Sequence, residues 1–301
     1  MDKAVARIET AFLQNENILV YGDYDVDGTT SVALVSSYLK TRTDSVATYI
    51  PDRYDEGYGI SYKGIDFAHD NDFSLIIALD CGVKAVDKFA YAKEHNIDFI
   101  ICDQHRPASE LPNAVAVLDP KREDCEYPYK ELCGCGVGFK LIQAMASKEG
   151  KTAEDLVEYL DLVATAIGAD IVPITGENRA LAYFGLQIIN SNPRPGIKTI
   201  IAEVKKEELT ITDVVFIVAP RINAAGRMKH GNHAVTLLTE TDFNLAAEYA
   251  VDIEQFNTDR READKRITEE ALKQIEEQKE KDRFTTCLLY TSDAADDDTI
   301  V

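Results

Sequence analysis

Short apolar runs alternate with amphipathic stretches through the first half of the chain, and this alternation limits the folds that the chain can adopt. The runs predict strands and the intervening stretches predict helices. The predicted strands are residues 18–21, 45–50, 74–80, 98–102 and 114–118, and the predicted helices are residues 29–40, 62–69 and 85–95. Strands that alternate with helices imply right-handed crossovers and a parallel sheet. The predicted fold class is therefore α/β, with a parallel β-sheet flanked by helices on both faces.

The second half of the chain is predicted to be mostly helical. The predicted helices are residues 138–148, 153–167, 178–189 and 213–218, followed by one long helix over about 244–282. At 1.5 Å per residue, that last helix would span roughly 55–60 Å. Its apolar row fades after Phe256 into Arg260 and Asp264, which is typical of a helix that connects to another domain. The glycine-rich run 134–138 lacks the spacing of a dinucleotide fingerprint and is predicted to be a tight loop before a helix.

These patterns predict a domain organisation. We expect residues 1–242 to form one catalytic domain, with a sheet core over 17–120 and a helical remainder over 134–242. Residues 243–283 would form the connecting helix. The tail 284–301 holds four aspartates and no basic residue, and we expect it to be a non-native or disordered end.

The composition predicts a soluble, acidic protein. Of 301 residues, 45% are hydrophobic and 28% are charged. No apolar run approaches the roughly 20 residues that span a bilayer, and the N-terminus lacks the plan of a signal peptide, so we expect a cytoplasmic protein with no membrane contact. Six cysteines without zinc or redox spacing are predicted to be reduced structural thiols. The net charge of −21 argues against nucleic-acid binding by bulk electrostatics, although it leaves room for a local basic groove and suits a protein that concentrates divalent cations.

Three alternating aspartates follow the first predicted strand. Asp23, Asp25 and Asp27 stand directly before Gly28. Alternate residues of an extended chain point to one side, so three carboxylates meet at one place and repel unless a cation neutralises them. A calcium-binding EF-hand loop is excluded, because the loop needs flanking helices and a glutamate at its twelfth position, where this chain has Leu34.

Further carboxylates stand at the ends of other predicted strands. Asp80 and Asp103 each end an apolar run, and Asp170 closes another apolar stretch. Ligands of an open parallel sheet bind beyond the carboxyl ends of its strands, so a metal site is expected there. Oxygen ligands with one imidazole favour Mn²⁺ or Mg²⁺ over zinc. Ligands from several strands indicate two ions, which at roughly 3.5–4 Å apart would stabilise an in-line phosphoryl displacement.

Other residues are candidates for anion binding. Gly28 and Thr29 open a helix, whose free N–H groups favour a phosphate or a carboxylate. Arg53 follows the second strand, and Arg221 and Arg227 enclose a run of small residues where a backbone could approach a ligand. Arginine suits bidentate phosphate contacts, whereas a lone surface arginine is usually only solvated.

Several segments in order resemble the DHH phosphoesterases. They are G-D-Y-D-V-D-G-T-T, I-A-L-D-C-G-V, I-C-D-Q-H-R-P and A-T-A-I-G-A-D-I-V-P, and the likeness runs over about 17–262. P-D-R-Y-D-E-G-Y-G and R-I-N-A-A-G-R-M are most similar to the family's branch of single-strand-specific 5′→3′ DNA exonucleases. The resemblance implies a hydrolase with two divalent cations, Mn²⁺ preferred or Mg²⁺, that releases 5′-mononucleotides from single-stranded DNA in repair and recombination. It also implies a single-strand-binding protein or a helicase as a partner; we expect a monomer. Relatives continue into DHH-associated and OB-type domains that we expect to be missing here.

The resemblance also implies roles for individual residues. The implied metal ligands, with the first of them in or beside the coordination shell, are Asp23, Asp25, Asp27, Asp80 and Asp170. Asp103 would support the site, and His105 would contact the scissile phosphate. Arg53 would hold a 5′-terminal phosphate. The implied contacts to the nucleotide backbone are Arg221, Asn223 and Arg227.

Two positions depart from the family pattern. Gln104 stands where the family has a histidine ligand, and Tyr21 stands where many relatives have another histidine. Gln104 offers only a neutral amide oxygen, so one metal position is expected to be weakened. Two other functions therefore stay open: a DHH phosphoesterase of small substrates (oligoribonucleotides, cyclic dinucleotides or pyrophosphate), and a catalytically silent nucleic-acid-binding scaffold. Arg53 and the R-I-N-A-A-G-R-M segment favour the exonuclease, whereas Gln104 supports the scaffold.

Overall fold

A five-stranded sheet forms the centre of the chain in a computed structural model that describes residues 1–202 and 204–277. The strands are β1 (Asn17–Gly22), β2 (Val46–Tyr49), β3 (Phe73–Leu79), β4 (Asp98–Cys102) and β5 (Ala116–Leu118). They lie in the order β2-β1-β3-β4-β5, and every pair is parallel. The predicted parallel α/β sheet is confirmed, and each predicted strand is present within two residues at either end.

The sheet order creates a switch point between β1 and β3. From β1 the chain crosses to β2 on one side, and then returns past β1 to β3 on the other side. The crossover helices therefore leave from opposite faces at this position, and a crevice opens beyond the carboxyl ends of the two strands. The triplet after β1 and Asp80 after β3 meet at this crevice.

Both faces of the sheet are buried, because alternate residues of each strand point to opposite sides. The helices of this half are α1 (Asp2–Gln14), α2 (Val26–Lys40), α3 (Tyr62–Asp70) and α4 (Val86–Glu94). Ile18 and Val20 of β1 join the core beneath α1 and α2, whereas Leu19 and Tyr21 join a smaller core beneath α3 and α4. The sheet is thus held from both sides, and its carboxyl edge is left open for ligands.

A helical half follows the sheet. Its helices are α5 (Gly134–Lys148), α6 (Leu160–Ala169), α7 (Gly176–Ser191), α8 (Pro195–Ile201), α9 (Ile211–Asp213), α10 (Ala219–Met228), α11 (Asn232–Thr239) and α12 (Phe243–Glu277). α5 and α6 both pack against α2, so the helical half rests on the same face of the sheet as α1. A π-helical turn, Val214–Val218, joins α9 to α10.

The last helix, α12, has 35 described residues and is about 52 Å long. It contacts α8 and α10 and buries Ala246, Ile253 and Phe256. From residue 258 to residue 275 the side chains are exposed or half-buried. Its predicted extension to 283 and the predicted tail 284–301 lie outside the described residues. None of the described helices is both long and apolar enough to cross a bilayer.

Some boundaries differ from the sequence expectations. The run 134–138 was predicted to be a loop, but it forms the first turn of α5. The N–H groups of Gly134 and Cys135 in this turn donate hydrogen bonds to the carboxylate of Asp27. The predicted helix 153–167 divides into a 3₁₀ segment, Ala153–Tyr159, and α6. Helices α1, α8, α10 and α11 were not predicted. The five cysteines within the described residues are free thiols, as expected.

Candidate metal centre

The aspartate triplet is shaped by the start of α2. Asp25 is the N-cap of this helix, and its Oδ1 accepts a hydrogen bond from the N–H of Gly28 at 2.8 Å. A Cβ at position 28 would lie 2.4 Å from the carbonyl oxygen of Asp23, so only glycine allows the chain to turn back this tightly. The strand, the turn and the cap together place three carboxylates within one short loop.

Asp27 joins the two halves of the protein. Its two oxygens accept hydrogen bonds from the N–H groups of Gly134 (2.6 Å) and Cys135 (2.7 Å) in the first turn of α5. A carboxylate at a helix N-terminus satisfies free N–H groups and matches the positive end of the helix dipole. Asp27 is 2% exposed, so this contact is the main polar compensation that the chain gives it.

Asp80 approaches from the end of β3. Its φ angle is +56°, a left-handed conformation that a residue other than glycine adopts rarely. The backbone N–H of Asp80 donates to the carbonyl of Cys102 at 2.8 Å, which fixes this turn against β4. Oδ1 of Asp80 and Oδ1 of Asp23 are buried and accept no hydrogen bond from the described residues. Two buried carboxylate oxygens therefore face the crevice without a donor, which is uncommon in folded proteins.

Asp103 supports the site rather than facing it. Its Oδ2 accepts from the N–H of Val83 at 2.9 Å, and its Oδ1 accepts from the N–H of Gln104 (2.7 Å) and from Nδ1 of His105 (2.8 Å). Since Asp103 can only accept, Nδ1 of His105 carries the proton. The other ring nitrogen, Nε2, lies 3.2 Å from the hydroxyl of Tyr58. The imidazole is therefore fixed at both nitrogens.

The loop that carries Tyr58 is held by Glu56. The Glu56 carboxylate accepts from the hydroxyls of Tyr49 (2.9 Å) and Ser61 (2.5 Å) and from the N–H of Asp52 (2.8 Å). The glycines that flank Tyr58 both have a φ of +77°. This network gives Tyr58 a defined position even though its side chain is 54% exposed.

Burial and mutual repulsion shift the acidities in the centre. Burial raises the pKa of Asp80 well above its ordinary value, and repulsion from Asp27, Asp25 and Asp170 raises it further. Burial likewise raises the pKa values of Asp23 and Asp27 well above the usual range, and repulsion from neighbouring aspartates adds to both. These effects show that carboxylates from three parts of the chain meet here.

Asp103 and His105 behave differently from the other acidic groups. Burial favours a neutral Asp103, but hydrogen bonds from His105 and from the N–H of Val83 outweigh it and lower the pKa of Asp103. Burial favours a neutral imidazole, but the bond to Asp103 outweighs it and raises the pKa of His105. The pair is therefore an ion-pair-like unit beside the repelling carboxylates, with Nδ1 4.0 Å from Oδ1 of Asp80.

The donor set fits a hard divalent cation. Atoms of Asp80, Asp103 and His105 that could act as ligands lie within 4.8 Å of one another. The unpartnered oxygens of Asp23 and Asp80 supply two further reasons to place positive charge in the crevice. Carboxylate oxygens with at most one imidazole suit Mn²⁺ or Mg²⁺.

Gln104 takes part in a different network. Its Nε2 donates to Oδ2 of Asp170 at 3.2 Å, and its Oε1 accepts from Nζ of Lys121 at 3.2 Å. Asp170 is the C-cap of α6, and its Oδ1 accepts from the N–H of Ile171 at 2.8 Å. The structure therefore brings Asp170 near the centre, with the Gln104 amide between its carboxylate and the Lys121 ammonium.

Tyr21, the second departure from the family pattern, lies outside the centre. Its ring is fully buried in the smaller core, and its hydroxyl donates to the carbonyl of Gly59 at 2.9 Å and accepts from the N–H of Ser61 at 3.2 Å. The Tyr21 hydroxyl therefore stabilises the loop that carries Tyr58, through Gly59 and Ser61, and does not offer a metal ligand.

Basic and aromatic residues line one side of the aspartate loop. The guanidinium of Arg53 lies 5.1 Å from the centre of the Tyr24 ring. A Cβ at Gly226 would lie 2.3 Å from the carbonyl oxygen of Tyr24, so the end of α10 packs directly on this loop. The hydroxyl of Tyr54 donates to the carbonyl of Arg227 at 3.0 Å. Arg53 and the backbone of Arg227 therefore lie beside the aspartate loop.

Other predicted anion-binding residues are placed differently. The N–H groups of Gly28 and Thr29 both bond to Asp25, and both residues are buried, so the expected phosphate contact from them is not supported. Arg221 donates to the carboxylate of Glu254 on α12 at 2.5 Å, so it joins two helices. Asn223 is half-buried on α10, between Arg221 and Arg227 in sequence.

Residues 17–167 match the DHH family, N-terminal domain. The chain belongs to the DHH family. This DHH chain is 40% identical over 280 residues to the single-stranded-DNA-specific exonuclease RecJ of Bacillus subtilis (strain 168), covering 92% of the chain and 35% of that protein. It is 34% identical over 285 residues to RecJ of Escherichia coli (strain K12), covering 90% of the chain and 49% of that protein.

Solved structures agree with the family assignment. A crystal structure of exonuclease RecJ bound to manganese superposes with a TM-score of 0.83 at 30% identity, covering 90% of this DHH chain and 69% of that chain. RecJ of Thermus thermophilus in complex with Mn²⁺ gives a TM-score of 0.79 at 27% identity, covering 90% and 39%. This chain spans about a third to a half of the length of the curated RecJ proteins named above.

Three contributors to the site of this DHH chain were missed from the sequence. Tyr58 lies in the E-G-Y-G segment, which carried the resemblance but no assigned role. Lys121 follows the end of β5, where the strand-end argument could have found it. The N–H groups of Gly134 and Cys135 could be found only once the run 134–138 was known to start a helix.

Proposed function

We propose that this DHH chain is the catalytic core of a metal-dependent nuclease that degrades single-stranded DNA from the 5′ end and releases 5′-mononucleotides. One observation carries the proposal: repelling carboxylates from three segments meet at the switch point of the sheet, and two of their buried oxygens lack a donor among the described residues. The relatives are named as single-stranded-DNA-specific exonucleases, and related structures are described with Mn²⁺ or Mg²⁺.

The carboxylates of the crevice would hold the cations. Asp23, Asp25, Asp27 and Asp80 offer oxygens on the β1–β3 side, and Asp170 offers an oxygen from the end of α6. Divalent cations bound here would neutralise the phosphodiester and stabilise the charge that develops on its oxygens. The contact between Asp27 and the N-terminus of α5 keeps one carboxylate in place before any cation arrives.

His105 is the residue best placed to act on the scissile phosphate. Asp103 fixes its ring and favours its protonated form, so the imidazole can donate to a phosphate oxygen. Tyr58 is hydrogen-bonded to the ring nitrogen that faces away from Asp103. A phosphate oxygen would share the Nε2 proton with the Tyr58 hydroxyl, which keeps the ring oriented.

Arg53 and Arg227 supply positive charge beside the centre of a chain whose net charge is −21. Arg53 lies against the ring of Tyr24, and the backbone of Arg227 is held by Tyr54. We assign Arg53 to the 5′-terminal phosphate and Arg227 to the next phosphate along the strand. Repair and recombination, and an interaction with a single-strand-binding protein or a helicase, belong to this proposal through the family resemblance.

The proposal is tested with DNA labelled at its 5′ end. The chain is incubated with Mn²⁺ and single-stranded DNA, double-stranded DNA, oligoribonucleotides, dinucleotides or pyrophosphate. Release of labelled mononucleotide from single strands alone is the expected result. Activity confined to dinucleotides or pyrophosphate would contradict it and would favour a phosphoesterase of small substrates. An Asp80→Ala variant is the matched negative control.

A silent scaffold is the second candidate, and one observation favours it. The only atom of Gln104 that could bind a metal is engaged by Lys121. If the chain binds single-stranded DNA but releases no nucleotide from any substrate in Mn²⁺ or Mg²⁺, the scaffold replaces the nuclease.

A further inference from the structure

The orientation of the Gln104 amide is determined by its two neighbours. A lysine ammonium can only donate, and an ionised aspartate can only accept. Oε1 must therefore face Lys121, and Nε2 must face Asp170, at 3.2 Å each. Turning the amide over would place oxygen against carboxylate and NH₂ against ammonium, which gives two repulsive contacts.

Lys121 is held in this position by its own turn. Its backbone N–H donates to Oδ1 of Asp119 at 2.7 Å, directly after β5. Its side chain is 25% exposed, and its Nζ also lies 3.8 Å from the carboxylate of Glu131. The Lys121 ammonium therefore lies between the Glu131 carboxylate and the Gln104 amide, and the other end of that amide contacts Asp170.

The positive charge of Lys121 opposes the binding of a cation beside Asp170. The Gln104 amide links Lys121 to Asp170, which is the carboxylate that a cation at this side would use. A cation bound to Asp170 would be repelled by the Lys121 ammonium, and this repulsion is twice as large for a divalent ion as for a monovalent one. Compared with the family pattern, the Asp170 side of the centre therefore lacks the histidine ligand that Gln104 replaces, and it carries the additional positive charge of Lys121.

We propose that Lys121 is a positioning residue that keeps the Gln104 amide oxygen out of the metal centre, so that the chain binds one divalent cation tightly and a second one only weakly. The tight cation lies on the side of Asp23, Asp27 and Asp80, and the weak one lies beside Asp170. This inference rests on the metal-dependent function proposed above.

The test is a Mn²⁺ titration of the metal-free chain without DNA, with free Mn²⁺ measured by electron paramagnetic resonance. The parent chain is expected to bind one ion tightly and a second at least about tenfold more weakly. Lys121→Met should tighten the second ion about tenfold or more, because it frees Oε1 and removes the charge. Gln104→His should also create a second tight site.

Two further variants separate charge from structure. Lys121→Arg keeps the charge and a donor, so it should bind Mn²⁺ as the parent does. Lys148→Met removes the same charge at the C-terminal end of α5, about 20 Å along that helix from Gly134, and should leave Mn²⁺ binding unchanged. Should Lys121→Met not fold, Lys121→Gln takes its place, and Gln104→His tests the ligand argument independently.

The inference is overturned if the parent chain binds two ions with equal affinity, or if the second ion binds Lys121→Met (or Lys121→Gln) no more tightly than it binds the parent. It fails separately from the nuclease proposal. A chain that binds one ion tightly and degrades no DNA keeps this inference and loses the nuclease. A chain that binds two ions with equal affinity and degrades single-stranded DNA loses this inference and keeps the nuclease proposal.

Discussion

A Cβ atom at Gly134 would stand 2.5 Å from the Cβ of Asp80 and 2.6 Å from its Oδ1. The first turn of α5 therefore passes so close to the end of β3 that any side chain at 134 would displace Asp80. The same turn donates to Asp27. The absence of one Cβ thus allows two carboxylates from different strands to share one helix N-terminus.

Gly134→Ala should weaken metal binding more than it weakens the fold. Displacement of Asp80 should lower the Mn²⁺ affinity by at least about tenfold, about 1.4 kcal/mol. Calorimetric titration with Mn²⁺ measures it. Gly138→Ala in the same helix is the matched control, because its added Cβ would meet methyl groups of Val35 and Leu79, at 3.3 Å and 3.5 Å, and no carboxylate. Equal affinities in the two variants would contradict the argument.

Tyr58→Phe should lower kcat without changing KM for DNA. It removes the hydroxyl that meets Nε2 of His105, whereas the ring keeps its edge contacts with Tyr24 and His105. A fall of about tenfold is expected for a group that orients an acid or base. Single-turnover and steady-state rates on 5′-labelled single strands measure it. Tyr62→Phe, which loses a hydroxyl bonded to Asp87, should leave both constants unchanged. A rise in KM alone would assign Tyr58 to DNA binding.

The metal-free chain should lose stability as the pH rises. The pKa values of Asp23, Asp27 and Asp80 are raised in the folded state. Below about pH 4, therefore, both the folded and the unfolded states hold these protons and no penalty exists. Above that pH the unfolded chain releases protons that the folded chain retains, and stability falls. The thermal midpoint should decrease from about pH 4.5 to about pH 8, and Asp80→Asn should flatten the slope.

Mn²⁺ should reverse this loss. At a free concentration 100 times its dissociation constant, a ligand that binds only the folded state stabilises it by about 2.7 kcal/mol, which raises the midpoint by about 5 °C or more. The shift should grow as the pH rises, because protons compete with Mn²⁺ for the carboxylates. A midpoint that does not move with Mn²⁺ at any pH would contradict a cation site in the crevice.

Arg53→Ala should abolish discrimination for a 5′-terminal phosphate. Hydrogen bonds to charged groups contribute about 1.5–3 kcal/mol, so the preference for 5′-phosphorylated over 5′-hydroxyl strands should fall about tenfold to a hundredfold. Competition binding with both strands measures it. Arg221→Ala is the comparison, because its guanidinium is engaged by Glu254 and should affect stability more than affinity. If Arg221→Ala erases the preference and Arg53→Ala does not, the assignments are exchanged.

The sheet could be predicted because its strands are fully buried and their apolar runs are continuous, as in Leu75–Leu79. The carboxylates at strand ends were predictable for the same reason: a parallel sheet brings its carboxyl ends to one edge. The sequence does not show backbone donors. The N–H groups of Gly134 and Cys135 look like part of a loop until Asp27, more than a hundred positions earlier, is placed against them.

Contacts between distant side chains were equally hidden. The sequence around Arg221 does not predict its contact with Glu254, and the sequence around Gln104 does not predict its contact with Lys121. Both contacts form only when separate elements pack together. The residue type alone favoured a phosphate contact for Arg221 and a weakened metal ligand for Gln104. The partner in three dimensions decides what each can do.

The bond between Asp27 and α5 makes the order of assembly matter. A chain that has formed its sheet and α2, but has not yet docked α5, holds the carboxylate of Asp27 without the two N–H groups that stabilise it. The sheet half and the helical half therefore gain the same contact at the same moment, and each is less stable without the other. The acidic centre is complete only when the two halves are packed together, so a partly folded chain carries no finished metal centre.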